Sequence, residues 1–176
     1  MLGIRRHQGS AIDLWQGDLK KFVCDVSVAF FPAGTAPPGL PAAASLPAGE
    51  AMIFPGKDFL CPSDHLLAVA YSPLVDINDR GKLGMVLGSY SNALAFAAGL
   101  EVRHIAMAVP QSEALGDLYG SLAMVALKSF LDEAAARGAN GGRLPVVPKR
   151  ITLVLDSLAV YDCFQAQLFA TFPDIF

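Results

Sequence analysis

The side chains able to do chemistry in this sequence are few, and each has a plainer role to be weighed against it. Ser112 follows the apolar run that ends at Val109-Pro110 and precedes a helical pattern, the setting of a nucleophilic serine on a strand-to-helix turn. Its neighbours, Gln111, Glu113 and Ala114, supply none of the glycines such a strained turn needs. Anion binding by the amides at that helix start is the better expectation. Asp64 and His65 are adjacent, and an Asp-His pair suits base chemistry, but neighbours on a strand point to opposite faces. His65 and His104 are therefore read as strand-end histidines, and His7 as part of a loose terminus beside Arg5 and Arg6. Asp76, Asp79 and Asp156 fall near strand ends, where turn formation and helix capping come first. Cys24, Cys61 and Cys163 are far apart and odd in number, with no C-x-x-C pair. Three reduced thiols are expected, with no disulfide framework and no zinc site. Gly141-Gly142 lacks the following Lys-Ser/Thr of a phosphate loop. No metal, cofactor or catalytic residue is expected.

The elements that must position these residues belong to one domain. A chain of 176 residues, 53% hydrophobic and 16% charged, can fill one core and not two. The net charge is -3 and Lys and Arg are scattered, so no basic stripe for nucleic acid is present. No apolar run reaches about 18 residues, and no signal-peptide pattern opens the sequence. A cytoplasmic protein with no membrane partner is the expectation.

Strands are expected over residues 11–15, 25–31, 51–55, 65–71, 103–109 and 151–155. Helical spacing joins Leu83, Val86, Leu87, Tyr90, Leu94 and Ala97, with Gly99 as the cap. It joins Tyr119, Leu122, Ala126 and Phe130 in a second helix that the glycines at 138, 141 and 142 terminate. A third, with Val160, Phe164 and Leu168, is capped by Asp156 and Ser157. Strand–helix alternation in the second half predicts a parallel sheet with helices on both faces. Between 32 and 49, Pro32, Pro37, Pro38, Pro41 and Pro47 exclude a long helix. One short helical turn over 40–46 fits, in a loop packed by Ala and Leu or acting as a lid.

Read with its local motifs, this order resembles the macro domain, the fold that binds ADP-ribose in many proteins. Residues 12–19, with Gln16-Gly17-Asp18-Leu19, look like the strand that ends in "GDI". Residues 49–56 look like "GEVVVTP", and residues 65–72 like the neighbouring strand that leads to a "GP" turn, here Ser72-Pro73. Residues 105–110 look like "SIAFP", followed at 111–116 by the place of the second phosphate loop. Residues 151–156 match the last strand. The resemblance covers most of the chain. It implies an α/β, three-layer α/β/α domain over 1–176, with a mixed, mostly parallel central sheet. It also implies a ligand-contact set of Asp18, Leu19, Phe31, Gly34, Ser112, Glu113, Ala114, Leu115, Gly116 and Asp156. Asp18 matches the Asp that contacts adenine.

The sequence departs from that pattern at functional positions. Where the family has "VNAAN", this chain has Val28-Ala29-Phe30-Phe31-Pro32, without the Asn that polarises the distal ribose in hydrolytic members. The first Gly-rich loop becomes the Pro/Ala segment, keeping only Gly34 and Gly39. The second loop places Glu113 near where a diphosphate would lie, which is unfavourable without a cation. Leu155 takes the place of an aromatic that stacks on adenine. Two readings stay open. One is a module that binds a nucleotide or ADP-ribose-like ligand without processing it. The other is a protein-interaction or homo-oligomeric domain with a lost cleft, anchored by Phe30, Phe31, Phe54 and residues 164–176. A hydrolase ranks below both.

Overall fold

Runs of β-branched and aliphatic residues form strands because their stiff side chains suit a pleated, buried surface. In the computed structural model, which describes residues 3–76, 78–139 and 147–173, these runs pair into one sheet. Its strands are β1 (Arg5–His7), β2 (Ser10–Gln16), β3 (Val26–Pro32), β4 (Ala51–Pro55), β5 (His65–Tyr71), β6 (His104–Ala108) and β7 (Arg150–Leu155). The helices are α1 (Arg80–Gly99), α2 (Gly116–Ala139) and α3 (Leu158–Thr171). Across the sheet the strands run β1-β2-β7-β6-β3-β5-β4, and β2, β7, β6, β3 and β5 are mutually parallel. The two outer pairs, β1 on β2 and β4 on β5, are antiparallel. The mixed, mostly parallel α/β sheet expected from the sequence is present.

The register sorts the side chains onto two unlike faces. Ile12, Ile151, Ile105 and Val26 lie side by side on one, all fully buried. Together with Leu153, Met107, Val28 and Leu67 they share a core with all three α-helices, through Tyr90, Leu94, Leu127 and Phe164 among others. The opposite face carries small residues: Ala106, Ala29, Ala68 and Ala70 join Leu66 and Val154 in a second core. Short 3-10 helices at Leu19–Lys21, Pro41–Ser45 and Gly56–Phe59 lie on this side, and Leu19, Leu40, Ala43 and Leu46 close it. The second outer layer is thus built of 3-10 turns and the 32–49 segment rather than of α-helices. The prolines explain this: each removes an amide donor that a continuous helix would need. The helical turn expected over 40–46 is the 3-10 helix Pro41–Ser45.

Several local expectations change. The first residues form a strand rather than a loose terminus, because the turn at Gln8-Gly9 returns the chain onto β2. Gly99 is the last residue of α1, but the left-handed residue that leaves the helix is Glu101 (φ 55). Asp79 and Ser157 cap α1 and α3, accepting from the amides of Lys82 and Val160. The glycines expected at 141 and 142, with Pro145, lie outside the described residues, as do 174–176 of the C-terminal region.

β1 is tied to α2 through a side-chain cluster. The Asp132 carboxylate receives Lys128 Nζ at 2.7 Å, Gln8 Nε2 at 3.1 Å and the His7 ring at 2.5 Å. The Lys128, Gln8 and His7 donors hold the Asp132 carboxyl well below the usual carboxylate range. A depressed carboxylate stabilises the fold fully above its unfolded pKa of about 3.9, and that stabilisation fades as the pH falls further. An Asp132→Asn variant is therefore expected to lose less stability than the parent between about pH 4 and pH 2, read from urea midpoints at each pH. Equal acid sensitivity in both would show that the cluster contributes nothing.

Candidate functional site

The carboxyl ends of parallel strands are where an α/β sheet opens onto a crevice. Here β2, β3, β6 and β7 end around a cleft of about 590 Å³. Its floor is Ala29, Ala108 and Val154, which share one row of the sheet with Trp15. Small residues in that row leave the space. The walls are Gly17, Asp18 and Leu19 after β2, Phe30, Phe31 and Pro32 ending β3, and Thr35, Ala36 and Pro37 beyond it. Phe59 and Asp156 complete the lining. The 32–49 segment forms one wall and leaves the cleft open.

Asp18 has the capping role its Gly-Asp turn suggests, since its Oδ1 accepts the Lys20 amide at 3.0 Å. An ionised carboxylate accepts several hydrogen bonds, so capacity remains for a ligand donor in the cleft. Asp156 follows β7, and its amide donates to Gln111 Oε1 at 2.8 Å. The Gln111 Nε2 group in turn donates to the carbonyls of Val109 and Val154, clamping the ends of β6 and β7. Partial burial, and then the charge of Asp18, push the Asp156 carboxyl above the usual range.

Several backbone amides along the rim have partners within the fold. Gly17 donates to the Leu155 carbonyl at 3.0 Å, Ala33 to Tyr71 at 2.9 Å and Thr35 to Pro32 at 3.1 Å. Pro32 and Pro37 have no amide to offer. Gly34 and Gly39 both hold φ +85°, which a turn requires and a side chain resists. Gly34 is a turn residue and does not line the cleft.

Of the ten residues expected at a site, Asp18, Leu19, Phe31 and Asp156 come together in this cleft. Glu113, Ala114, Leu115 and Gly116 line a separate depression with Asp117 and Cys163. Ser112 Oγ accepts the Leu115 amide at 3.1 Å, so it restrains the turn into α2. Leu155 is fully buried and points to the helix side, away from the cleft. Sequence reasoning missed Phe59, Thr35 and the alanine floor. The available signal was the pairing of a large residue with Ala within β3 and at the end of β6, Val28-Ala29 and Met107-Ala108.

His104 is more than a strand-end residue. Its Nε2 meets Thr152 Oγ1 at 2.9 Å, and that hydroxyl donates to Asp13 Oδ1 at 2.6 Å. Arg150 grips the other oxygen of Asp13 through Nε and Nη2. Burial, and then the Arg150 charge, lower the His104 pKa and so favour the neutral ring. This network joins the entrances of β6 and β7 to β2, at the end opposite the cleft. His65 is exposed at the start of β5, as expected. Cys24, Cys61 and Cys163 are free thiols, and among the described residues no cluster suits a metal ion. No helix among the described residues is long and apolar enough to cross a membrane.

No family model and no curated protein matches the sequence. Solved structures do match the fold. The Oceanobacillus iheyensis macrodomain with ADP aligns with a TM-score of 0.71 at 16% identity, over 95% of this chain and 94% of that one. The macro domain of ganglioside induced differentiation associated protein 2 aligns at 0.72 and 16%, over 96% and 87%. The Trypanosoma brucei macrodomain in complex with ADP-ribose aligns at 0.65 and 14%, over 88% and 68%.

Proposed function

We propose that this chain, whose fold is that of the macro domains, is a binding module for a nucleotide-derived ligand of ADP-ribose type, an adenine nucleoside with or without its phosphate tail. The carrying observation is the open cleft at the strand ends with Asp18 on its wall. A cleft of this size, apolar with a few converging polar groups, is the usual form of a small-molecule site. Asp18 is positioned to accept from the amino group of a base, and Leu19, Phe31 and Phe59 offer apolar surface around it. The ADP- and ADP-ribose-bound neighbours support this reading by fold analogy alone, since sites and not scaffolds set function.

The ligand is held and not processed. Among the described residues the lining contains no asparagine, histidine, serine or cysteine, and Thr35 spends its hydroxyl proton on the Pro32 carbonyl at 2.6 Å. The interaction reading is the weaker one. It asked for a filled cleft and aromatic anchors at the surface, whereas the cleft is open, Phe164 and Phe172 lie in the core and Phe31 is 5% exposed, while Phe169 of the same C-terminal region is 37% exposed.

Calorimetric titration with adenosine, ADP and ADP-ribose tests the proposal. At least one is expected to bind, with Asp18→Ala weakening it about tenfold, the worth of one charge-assisted hydrogen bond. Absence of heat and of thermal shift with all three at millimolar concentration would overturn the reading.

A further inference from the structure

The charge and hydrogen-bonding character of the cleft bear on which part of such a ligand it selects. Among the described residues, its charged lining residues are Asp18 and Asp156, both acidic, and no lysine or arginine lines it. Lys20, the basic residue beside that wall, keeps its ammonium 4.6 Å from the centre of the Phe59 ring and is not part of the lining. Anion sites in α/β folds rely on unpaired backbone amides gathered at glycine-rich turns or helix starts. The corresponding amides of Gly17, Ala33, Thr35 and Asp156 already donate to Leu155, Tyr71, Pro32 and Gln111. Pro32 and Pro37 stand in the wall with no amide at all. The start of α2, which could offer amides, lies in the separate depression with Glu113 and Asp117. The remaining described side chains of the lining are apolar or accept hydrogen bonds, which leaves the amides of Asp18, Leu19 and Ala36 as its backbone donors.

Resting on the ligand-module reading above, we infer that the cleft selects an uncharged nucleoside over its phosphorylated forms, with Asp18 and Asp156 as the specificity-determining groups. Asp18 accepts from the base, Asp156 stands as a second acceptor for a ligand hydroxyl or amino group, and both repel a phosphate. The fold is thereby turned from an anion receptor into one that excludes anions.

The test compares adenosine, ADP and ADP-ribose by calorimetry on the intact chain at low and high salt. Adenosine is expected to bind at least tenfold more tightly than ADP at about 20 mM salt, with an affinity that salt leaves unchanged. ADP affinity is expected to rise as salt reaches about 500 mM, because screening weakens repulsion between its phosphates and the two carboxylates. An amide-built phosphate site would show the opposite slope. Asp156→Asn is expected to narrow the gap between adenosine and ADP severalfold, with an unchanged urea midpoint as the control for folding. If ADP or ADP-ribose binds as tightly as adenosine or more so, or loses affinity with salt, the inference falls and the ligand-module reading stands. If none of the three binds, the reading itself fails and the inference with it.

Discussion

Phe164→Ala is expected to destabilise the protein by about 3–5 kcal/mol, the range for removing a fully buried aromatic ring and leaving its cavity. Phe164 lies on the inner face of α3, is 0% exposed, and belongs to the core that joins all three helices to the sheet. A Cβ at Gly120 of α2 would lie 3.4 Å from the Phe164 ring and 3.2 Å from Gln167 Cγ, so α2 and α3 approach closely at this point. The surrounding residues come from a sheet and two packed helices, which can shift little to fill the space. In a domain of this size the loss corresponds to a fall of roughly 10 °C in Tm. The urea midpoint should drop with little change in slope. A midpoint within the error of the parent would show that α3 is not held by this contact.

That position illustrates what was legible beforehand. Val160, Phe164 and Leu168 recur at helical spacing, and periodicity alone assigns them an inner face. The same holds for the β7 run, whose Ile-Thr-Leu-Val-Leu reads as a strand and is one, with Thr152 explained by its bond to Asp13. Phe164 was also an expected surface anchor under the interaction reading, and this failed because composition cannot tell a buried aromatic from an exposed one. β1 was missed for a different reason. Three residues carry too little pattern, and pairing depends on the Gln8-Gly9 turn and on Asp132, distant in sequence.

The cleft was half legible. Asp18 and Asp156 follow strands directly, so a strand-end crevice collects them. Glu113 to Gly116 are also beyond a strand end, yet Gln111 turns inward to clamp β6 to β7 and the following residues line a separate depression. Phe59 was invisible because its place depends on how residues 56–64 fold back, a matter of tertiary contact. Such contacts leave no period in the sequence.

Gly56→Ala tests that fold-back directly, and its sign can be set against the same substitution elsewhere. A Cβ at Gly56 would overlap the backbone carbonyl of Ser63, which cannot rotate aside as a side chain would. The Gly56 amide donates to the Asp64 carbonyl at 2.9 Å, and its own carbonyl accepts the Cys61 amide at 2.9 Å. Relieving the overlap must lengthen these bonds and displace the segment carrying Phe59. Ser63, whose hydroxyl lies 2.8 Å from that of Ser27, would move with it. The cost expected is about 2–3 kcal/mol, from overpacking together with weakened buried hydrogen bonds. Because Phe59 is a cleft wall, adenosine affinity should fall about tenfold as well, the effect of roughly 1.4 kcal/mol of lost contact. Gly84→Ala provides the contrast. That glycine is exposed within α1 with nothing near its missing Cβ, so alanine there should stabilise by up to about 1 kcal/mol through helix propensity. Urea midpoints moving in opposite directions for the two variants would establish that close approach, and not glycine content, fixes the wall of the cleft. A Gly56→Ala midpoint equal to the parent's would mean the wall tolerates displacement, and the placement of Phe59 would no longer follow from the backbone contact.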